Sequence, residues 1–154
     1  ASDRLEALIF GIGDYSASQH MRVDAIGGSG DYPPDIWHYP RYKLITACHA
    51  NGLDPIDGPY AIFSDLDTLQ TEATHAATLG MFGKWAIHPS QTEILQTTFA
   101  PSHDAVLTAR RQKSAFEKAI AEGVGAISVD GVMVDAASIR LVQNLLDRAE
   151  LYGL

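Results

Sequence analysis

The sequence lacks several features that mark secreted, membrane and nucleic-acid-binding proteins. Its 154 residues include one cysteine, Cys48, which excludes an intrachain disulfide, fits a reducing compartment and is expected in the core. No apolar run approaches the roughly 18 residues of a membrane helix, and the first residues lack signal-peptide character. The net charge of −8 argues against a nucleic-acid surface, which would cluster Lys and Arg. We therefore expect a soluble cytoplasmic protein, or a mitochondrial-matrix protein in a eukaryote, without nucleic-acid or membrane partners.

The first two thirds of the sequence alternate short apolar runs with amphipathic segments. Strands are predicted at Leu5–Phe10, within Pro55–Tyr60 and at Gly83–Pro89. Helices are predicted at Arg41–Ala50, from Ser64 or Asp65 to Gly80, and after Ser90, which has Glu93 at capping-box spacing. Gly11-Ile12-Gly13 and the glycine-rich stretch Ala25–Pro34 are expected to be loops. This order is typical of a parallel sheet wrapped by helices, in which ligands bind at the carboxyl ends of the strands.

The last third of the sequence follows another pattern. A long helix is predicted from about His103 to Glu122, and a last helix from Ala136 to Tyr152. Between them, Asp130-Gly131 separates two apolar runs and indicates a hairpin with a type I′ turn. We therefore divide the chain into a sheet domain, residues 1–102, and an appended segment, residues 103–154.

Five strings, in this order, carry a resemblance to a known family. They are Phe10–Tyr15 (FGIGDY), Ile56–Tyr60 (IDGPY), Gly83–Gln91 (GKWAIHPSQ), Phe99–Ser102 (FAPS) and Asp130–Asp135 (DGVMVD). Together they resemble the family of malyl-CoA lyase, β-methylmalyl-CoA lyase, citramalyl-CoA lyase and the citrate lyase β-subunit. The Asp35–Tyr39 and Ala136–Arg140 segments look closer to the malyl-CoA lyases.

The resemblance implies the C-terminal half of a (β/α)8 TIM barrel, followed by a helix-hairpin-helix lid. Three strands cannot close such a barrel, and the family's earlier strands, with an arginine for the substrate carboxylate and a glutamate for the metal, have no counterpart here. We therefore expect other polypeptide to supply the N-terminal half of the barrel. The family uses Mg2+, with Mn2+ as the alternative ion, binds acyl-CoA and glyoxylate-type molecules, and forms homotrimers or hexamers.

The resemblance also implies site residues. Asp14 is the expected Mg2+ ligand, and Gly13 before it belongs to the same cofactor site. The alternative is an aspartate that forms a turn or caps a helix. Asp135 is the expected general acid or base, because a closed lid would disfavour the charged form of its carboxylate. The alternative is that Asp135 is the N-cap of the last helix. Ile87 and His88 are expected to line the acyl-CoA pocket, with His88 as a base the less favoured reading. The carboxyl ends of the predicted strands hold three less specific candidates. Asp57 could orient neighbouring loops or reach the substrate, and a structural turn aspartate is the alternative. Lys84 and Trp85 could pack against the pantetheine or adenine of CoA, and a core position is the alternative for Trp85.

The leading function is reversible, Mg2+-dependent retro-aldol cleavage of malyl-CoA or a related 3-hydroxyacyl-CoA to glyoxylate and an acyl-CoA. Activity of the citramalyl-CoA lyase, citrate lyase β-subunit or malyl-CoA thioesterase type is an alternative. A non-catalytic half-barrel that pairs with a partner chain is another. A third possibility is a complete, small three-layer α/β module, which would bury its sheet unaided and stay monomeric.

Overall fold

The computed structural model describes residues 4–29 and 35–154. It divides into two compact units, Ala1–Phe99 and Ala100–Leu154. The first unit has a three-stranded parallel sheet in the order β1-β2-β3, formed by β1 (Ala7–Ile9), β2 (Asp54–Asp57) and β3 (Gly83–Lys84). Its helices are α1 (Ile12–Ser18), α2 (His38–Ala50), α3 (Leu66–Leu79) and α4 (Thr92–Phe99). The alternation of strands and helices expected from the sequence is therefore present.

Helix α3 has the ends that its sequence predicts. The Asp65 carboxylate accepts a hydrogen bond from the Thr68 backbone N–H at 3.1 Å, which satisfies one of the open donors of the first turn. At the other end Gly80 adopts φ 113°, a conformation that glycine reaches without steric cost. Its inner face, with Leu69, Ala73 and Ala76, is fully buried.

Three local predictions are wrong. Gly11–Gly13 is not a loop, because the fully buried Ile12 opens helix α1 directly after the first strand. The strand predicted over Gly83–Pro89 covers only Gly83–Lys84, and a 3-10 turn, Pro89–Gln91, precedes α4. Ser90 therefore does not cap the fourth helix. The cap of the 3-10 turn is His88, whose ring accepts from the Ser90 backbone N–H.

One face of the sheet is covered by helices and the other is open. Successive side chains of a strand point to opposite faces. In β2, Pro55 and Asp57 are buried, whereas Ile56 between them is only half-buried. Its neighbour on the same face of β1, Ile9, is 54% exposed. Within the described residues, β1 and β3 each pair on one side only.

Two clusters of apolar side chains form the core of this unit. The larger one joins α2, α3 and α4 through Ile45, Leu69, Met81, Leu95 and Phe99. The smaller one places Phe10 and Ile12 against Trp37, whose side chain is fully buried. Cys48 is also fully buried, as predicted, and burial raises the pKa of its thiol.

The second unit contains α5 (His103–Ala121), the antiparallel pair β4 (Ala126–Val129) and β5 (Val132–Asp135), and α6 (Ser138–Leu151). Asp130 and Gly131 have φ values of 52° and 80°, which confirms the predicted hairpin turn with positive φ at both central positions. In the part of the chain that the structure describes, no helix is long and apolar enough to span a bilayer.

Candidate active site

Asp14 lies just beyond the carboxyl end of β1, in the first turn of α1. Its side chain is exposed, and it makes no hydrogen bond or ion pair with the other described residues. Helix α1 has no side-chain cap, so the turn or cap role considered for this aspartate is not observed. The carboxylate is therefore uncommitted, that is, free of hydrogen bonds and ion pairs within the described residues, which suits a metal ligand.

Close backbone packing brings three loops together near Asp14. A Cβ added at Gly58, after β2, would lie 2.4 Å from the carbonyl oxygen of Phe10 and would clash. A Cβ at Gly27, where φ is 83°, would lie 2.7 Å from the carbonyl oxygen of Pro59. At Gly13 it would lie 3.3 Å from Ile26. These glycines let the segment around residue 26 lie against the carboxyl ends of β1 and β2. Residues 30–34 of the predicted loop lie outside the described residues.

Gln91 fixes the segment that carries Ile87 and His88. Its fully buried amide donates to the carbonyl oxygen of Tyr60 at 2.9 Å and accepts from the Ile87 N–H at 2.9 Å. The residue thus ties the loop after β3 to the loop after β2. Sequence reasoning did not single it out, although it stands in the GKWAIHPSQ string.

Ile87 and His88 are both exposed at this rim. The His88 ring stacks on Phe63 at a centroid distance of 4.7 Å with 21° between the ring planes. Its Nδ1 lies 2.8 Å from the Ser90 hydroxyl and 3.2 Å from the Ser90 backbone nitrogen. The ring is therefore oriented by neighbours before any ligand binds.

Asp57 belongs to a buried ion cluster. Its two carboxylate oxygens accept from Arg41 at 3.1 and 3.0 Å, and Lys84 Nζ lies 2.6 Å from one of them. Arg41 also pairs with Glu72. Asp57 is the last residue of β2, so the turn reading is wrong, and its carboxylate is held by Arg41 and Lys84 and is not free to reach a substrate. That it orients neighbouring loops stays a prediction. The cluster joins β2, β3, α2 and α3 beneath the rim.

Burial and charge oppose each other in this cluster. Burial lowers the pKa of the Lys84 ammonium below its usual value, and the attraction of Asp57 offsets that effect only in part. For Arg41, the carboxylates of Asp57 and Glu72 outweigh burial, so its pKa is raised. Because Lys84 is buried against Asp57, it does not pack on a ligand. Trp85, the next residue, is 51% exposed and is not a core residue.

Asp135 stands at the end of β5, in the second unit. One of its carboxylate oxygens accepts from the N–H groups of Ala137 at 3.0 Å and Ser138 at 2.8 Å, and from the Ser138 hydroxyl at 2.8 Å. The N-cap of α6 is Ala137, so the N-cap reading of Asp135 is wrong, although its carboxylate accepts from the first N–H of that helix, that of Ser138. The Ser138 N–H and hydroxyl lower the pKa of Asp135, the opposite direction from that expected under a closed lid.

The described residues contain no group of three or more His, Cys, Asp or Glu side chains arranged to hold a metal ion. Mg2+ is held by only one or two carboxylates, with water and substrate oxygens completing its shell. Asp14 thus fits as one ligand of such an ion.

The chain is similar to curated proteins over nearly its whole length. It is 40% identical over 161 residues to an L-malyl-CoA/β-methylmalyl-CoA lyase of Rhodobacter capsulatus, covering 98% of this chain and 51% of that protein. It is 32% identical over 145 residues to the mitochondrial citramalyl-CoA lyase of Rattus norvegicus, covering 94% of this chain and 41% of the relative. The chain thus spans about half the length of the curated relatives it matches.

A solved structure agrees with these relatives. The protein CitE of Mycobacterium tuberculosis, in complex with magnesium, acetoacetate and coenzyme A, superposes with a TM-score of 0.70 at 28% identity. The match covers 92% of this chain and 51% of that one. No protein-family model matches the chain.

Proposed function

This chain is homologous to the malyl-CoA lyases and to citrate lyase β-subunit-like proteins, and on that basis we propose that it forms part of a carbon–carbon lyase acting on acyl-CoA thioesters. The reaction is the reversible cleavage of malyl-CoA, or a related 3-hydroxyacyl-CoA, to glyoxylate and an acyl-CoA. The observation that carries the proposal is the uncommitted carboxylate of Asp14 at the carboxyl end of a parallel sheet. That edge is where ligands bind in such sheets.

The open sheet supports the view that further strands complete the fold. A parallel sheet is normally covered on both faces, whereas here Ile9 is exposed and both edge strands lack a second partner within the described residues. A (β/α)8 barrel would bury that face and pair both edges. In this proposal residues 1–102 form the C-terminal strands and helices of the barrel, residues 103–154 form the lid, and the assembled protein is a cytoplasmic or mitochondrial-matrix homotrimer or hexamer.

Asp14 would hold Mg2+, or Mn2+ in its place, with Gly13 beside it. When bound, such an ion acts as a Lewis acid toward a carbonyl oxygen. Asp14 is suited to this role because its side chain is exposed and bonded to nothing else in the described part of the chain. Gly13 lets Ile26 pack against the start of α1, because a Cβ at Gly13 would lie 3.3 Å from the Ile26 side chain.

The remaining roles fall to residues on loops that the structure shows to be well anchored. Ile87 and His88 would line the acyl-CoA pocket, held in place by Gln91. Asp135 would move the proton of the substrate hydroxyl. As a carboxylate it would accept that proton as the carbon–carbon bond breaks and its electron pair passes to the thioester enolate.

The test is glyoxylate release from malyl-CoA by the natural, complete protein, with and without Mg2+. We expect Asp14→Ala to lose at least about 100-fold in kcat, the scale usual for removing a main electrostatic stabiliser. Asp24→Ala, another exposed aspartate of the same unit, should retain wild-type activity. Activity that persisted in Asp14→Ala and in excess chelator would reject the metal mechanism.

The same assay separates the alternatives. A malyl-CoA thioesterase would release free CoA and malate without glyoxylate, and a citramalyl-CoA lyase would prefer the methylated substrate. A non-catalytic half-barrel would bind its partner chain and give none of these products. Intact mass and subunit composition of the purified protein then tell whether the other half of the barrel is in the same polypeptide.

A further inference from the structure

The backbone N–H and the hydroxyl of Ser90 both contact one nitrogen of His88. The backbone N–H, which can only donate, points at Nδ1 from 3.2 Å. The hydroxyl lies 2.8 Å from the same atom and also donates to the carbonyl oxygen of Phe63 at 3.5 Å, the limit of hydrogen-bond distance. The backbone N–H is therefore the contact that requires Nδ1 to be an acceptor.

An acceptor at Nδ1 determines the tautomer of the neutral ring. A neutral imidazole carries one proton, so a ring whose Nδ1 accepts must carry its proton on Nε2. We infer that His88 is held as the Nε2–H tautomer and presents a hydrogen-bond donor at the rim, rather than a basic nitrogen.

The surroundings of Nε2 leave that donor available to a ligand. His88 is exposed, and among the described residues only Nδ1 has a hydrogen-bond partner. Stacking on Phe63 fixes the plane of the ring, and the Ser90 contacts fix its rotation. The Nε2–H therefore suits an oxygen acceptor such as a thioester or amide carbonyl. It follows that His88 is a positioning and binding group and does not remove a proton through Nε2.

The tautomer can be measured without any enzymatic assay. Long-range 1H–15N spectra of uniformly labelled protein, recorded at alkaline pH where imidazole rings are neutral, give each ring nitrogen a shift that distinguishes its protonated and unprotonated forms. The His88 signals are those missing from His88→Gln. We expect an unprotonated Nδ1 and a protonated Nε2. His75, an exposed histidine of the same unit without a hydrogen bond to the described residues, serves as the internal reference. A protonated Nδ1 at His88, or the same mixture of tautomers as at His75, would overturn the inference.

Two substitutions separate a donor from a base, and this part rests on the proposed function. In His88→Asn the amide oxygen can replace Nδ1 as the acceptor for Ser90, but the distal donor is lost. In His88→Gln the amide N–H can reach the position of Nε2, but the side chain cannot titrate. We expect His88→Asn to raise KM for the CoA thioester about 10-fold with a smaller change in kcat, and His88→Gln to stay within about 3-fold of wild type.

Equal losses of kcat in both variants, with disappearance of an ionisation from the pH–rate profile, would show that His88 is a base and would refute the donor role. If the protein shows no lyase activity at all, the proposed function fails but the spectra still decide the tautomer. The two failures are therefore distinguishable.

Discussion

Replacing Asp57 by Asn removes the negative charge at the centre of the buried cluster while keeping the size of the side chain. Asp57 accepts two hydrogen bonds from Arg41 and one from Lys84. In the variant, Lys84 loses the ion pair that neutralises it, and the carboxylates that remain, Glu72 and Asp35, both pair with Arg41. Asn also turns one of the acceptors into a donor that faces cations.

The expected cost follows from the burial of the partners. Asp57 and Arg41 are fully buried and the Lys84 side chain is 1% exposed, so water cannot replace the lost charge. Removing one partner of a buried pair typically costs about 3–5 kcal/mol in the free energy of unfolding. The Arg111–Asp130 pair gives the matched control, because both of its side chains are 64% exposed. Arg111→Gln should cost less than about 1 kcal/mol.

Urea unfolding followed by tryptophan fluorescence measures this cost in the first unit, and far-UV circular dichroism, which also detects the helices of the second unit, follows the Arg111→Gln control. The chain has two tryptophans, Trp37 and Trp85, and both lie in the first unit. The pH dependence gives a second test. Lys84 binds its proton less tightly in the folded state than in the unfolded state, so its contribution makes the folded state more stable as pH rises toward 10.5. Without Asp57 this effect grows, and the cost of the substitution should shrink from neutral to alkaline pH.

An Asp57→Asn protein that unfolds within about 1 kcal/mol of wild type would refute this reasoning, since it would mean that the cluster is hydrated or carries no net stabilisation. If the cost does not change with pH, the loss of the buried ion pair still explains the cost. That result would exclude deprotonation of Lys84 as a process that reduces the cost at alkaline pH.

Further outcomes follow from other contacts. Gly58→Ala should destabilise the first unit by about 2 kcal/mol or more in urea unfolding, because its Cβ would lie 2.4 Å from the Phe10 carbonyl oxygen. Gly83→Ala in the same unit, whose Cβ would lie 3.6 Å from Ile56 in an ordinary contact, should stay near wild type. Gln91→Leu leaves two backbone groups without partners and should cost about 2 kcal/mol in the same experiment, together with a higher KM for the CoA thioester. The pKa of Asp135 is lowered from 3.8, so its ionised carboxylate stabilises the second unit above that pH. The difference in Tm between wild type and Asp135→Ala should therefore vanish as the pH falls through the lowered pKa. A difference in Tm that persists in acid would contradict the assigned cause.

Local signals in the sequence predict the elements whose ends depend on nearby residues. Asp65 and Gly80 bound α3, and Asp130-Gly131 form the hairpin turn, because a cap or a positive φ is a property of one or two residues. The short third strand was overestimated for a related reason. The apolar run continues to Ile87, but the hydrogen bond from its N–H to Gln91 takes the chain out of the sheet.

Contacts between distant residues could not be predicted in this way. Asp57 is 16 residues from Arg41 and 27 from Lys84, and nothing local indicates that the three meet. One signal was present: Arg41 shares its helical face with Ile45 and Cys48, which are buried, and a charged residue on such a face needs a buried partner. The two tryptophans show the same limit, since the strand position of Trp85 suggested core and Trp37, next to a polar segment, is the buried one.

The unpaired edges of β1 and β3 have a consequence for handling this protein. Exposed strand edges are templates onto which other chains can add, so copies produced without complementary strands should tend to self-associate. The net charge of −8 opposes that tendency through mutual repulsion between copies. At 0.1 M salt this repulsion is largely screened at distances beyond about 10 Å. Preparations of this segment alone should therefore stay dispersed best in dilute buffer, and turbidity should rise with ionic strength until a polypeptide that caps both edges is supplied.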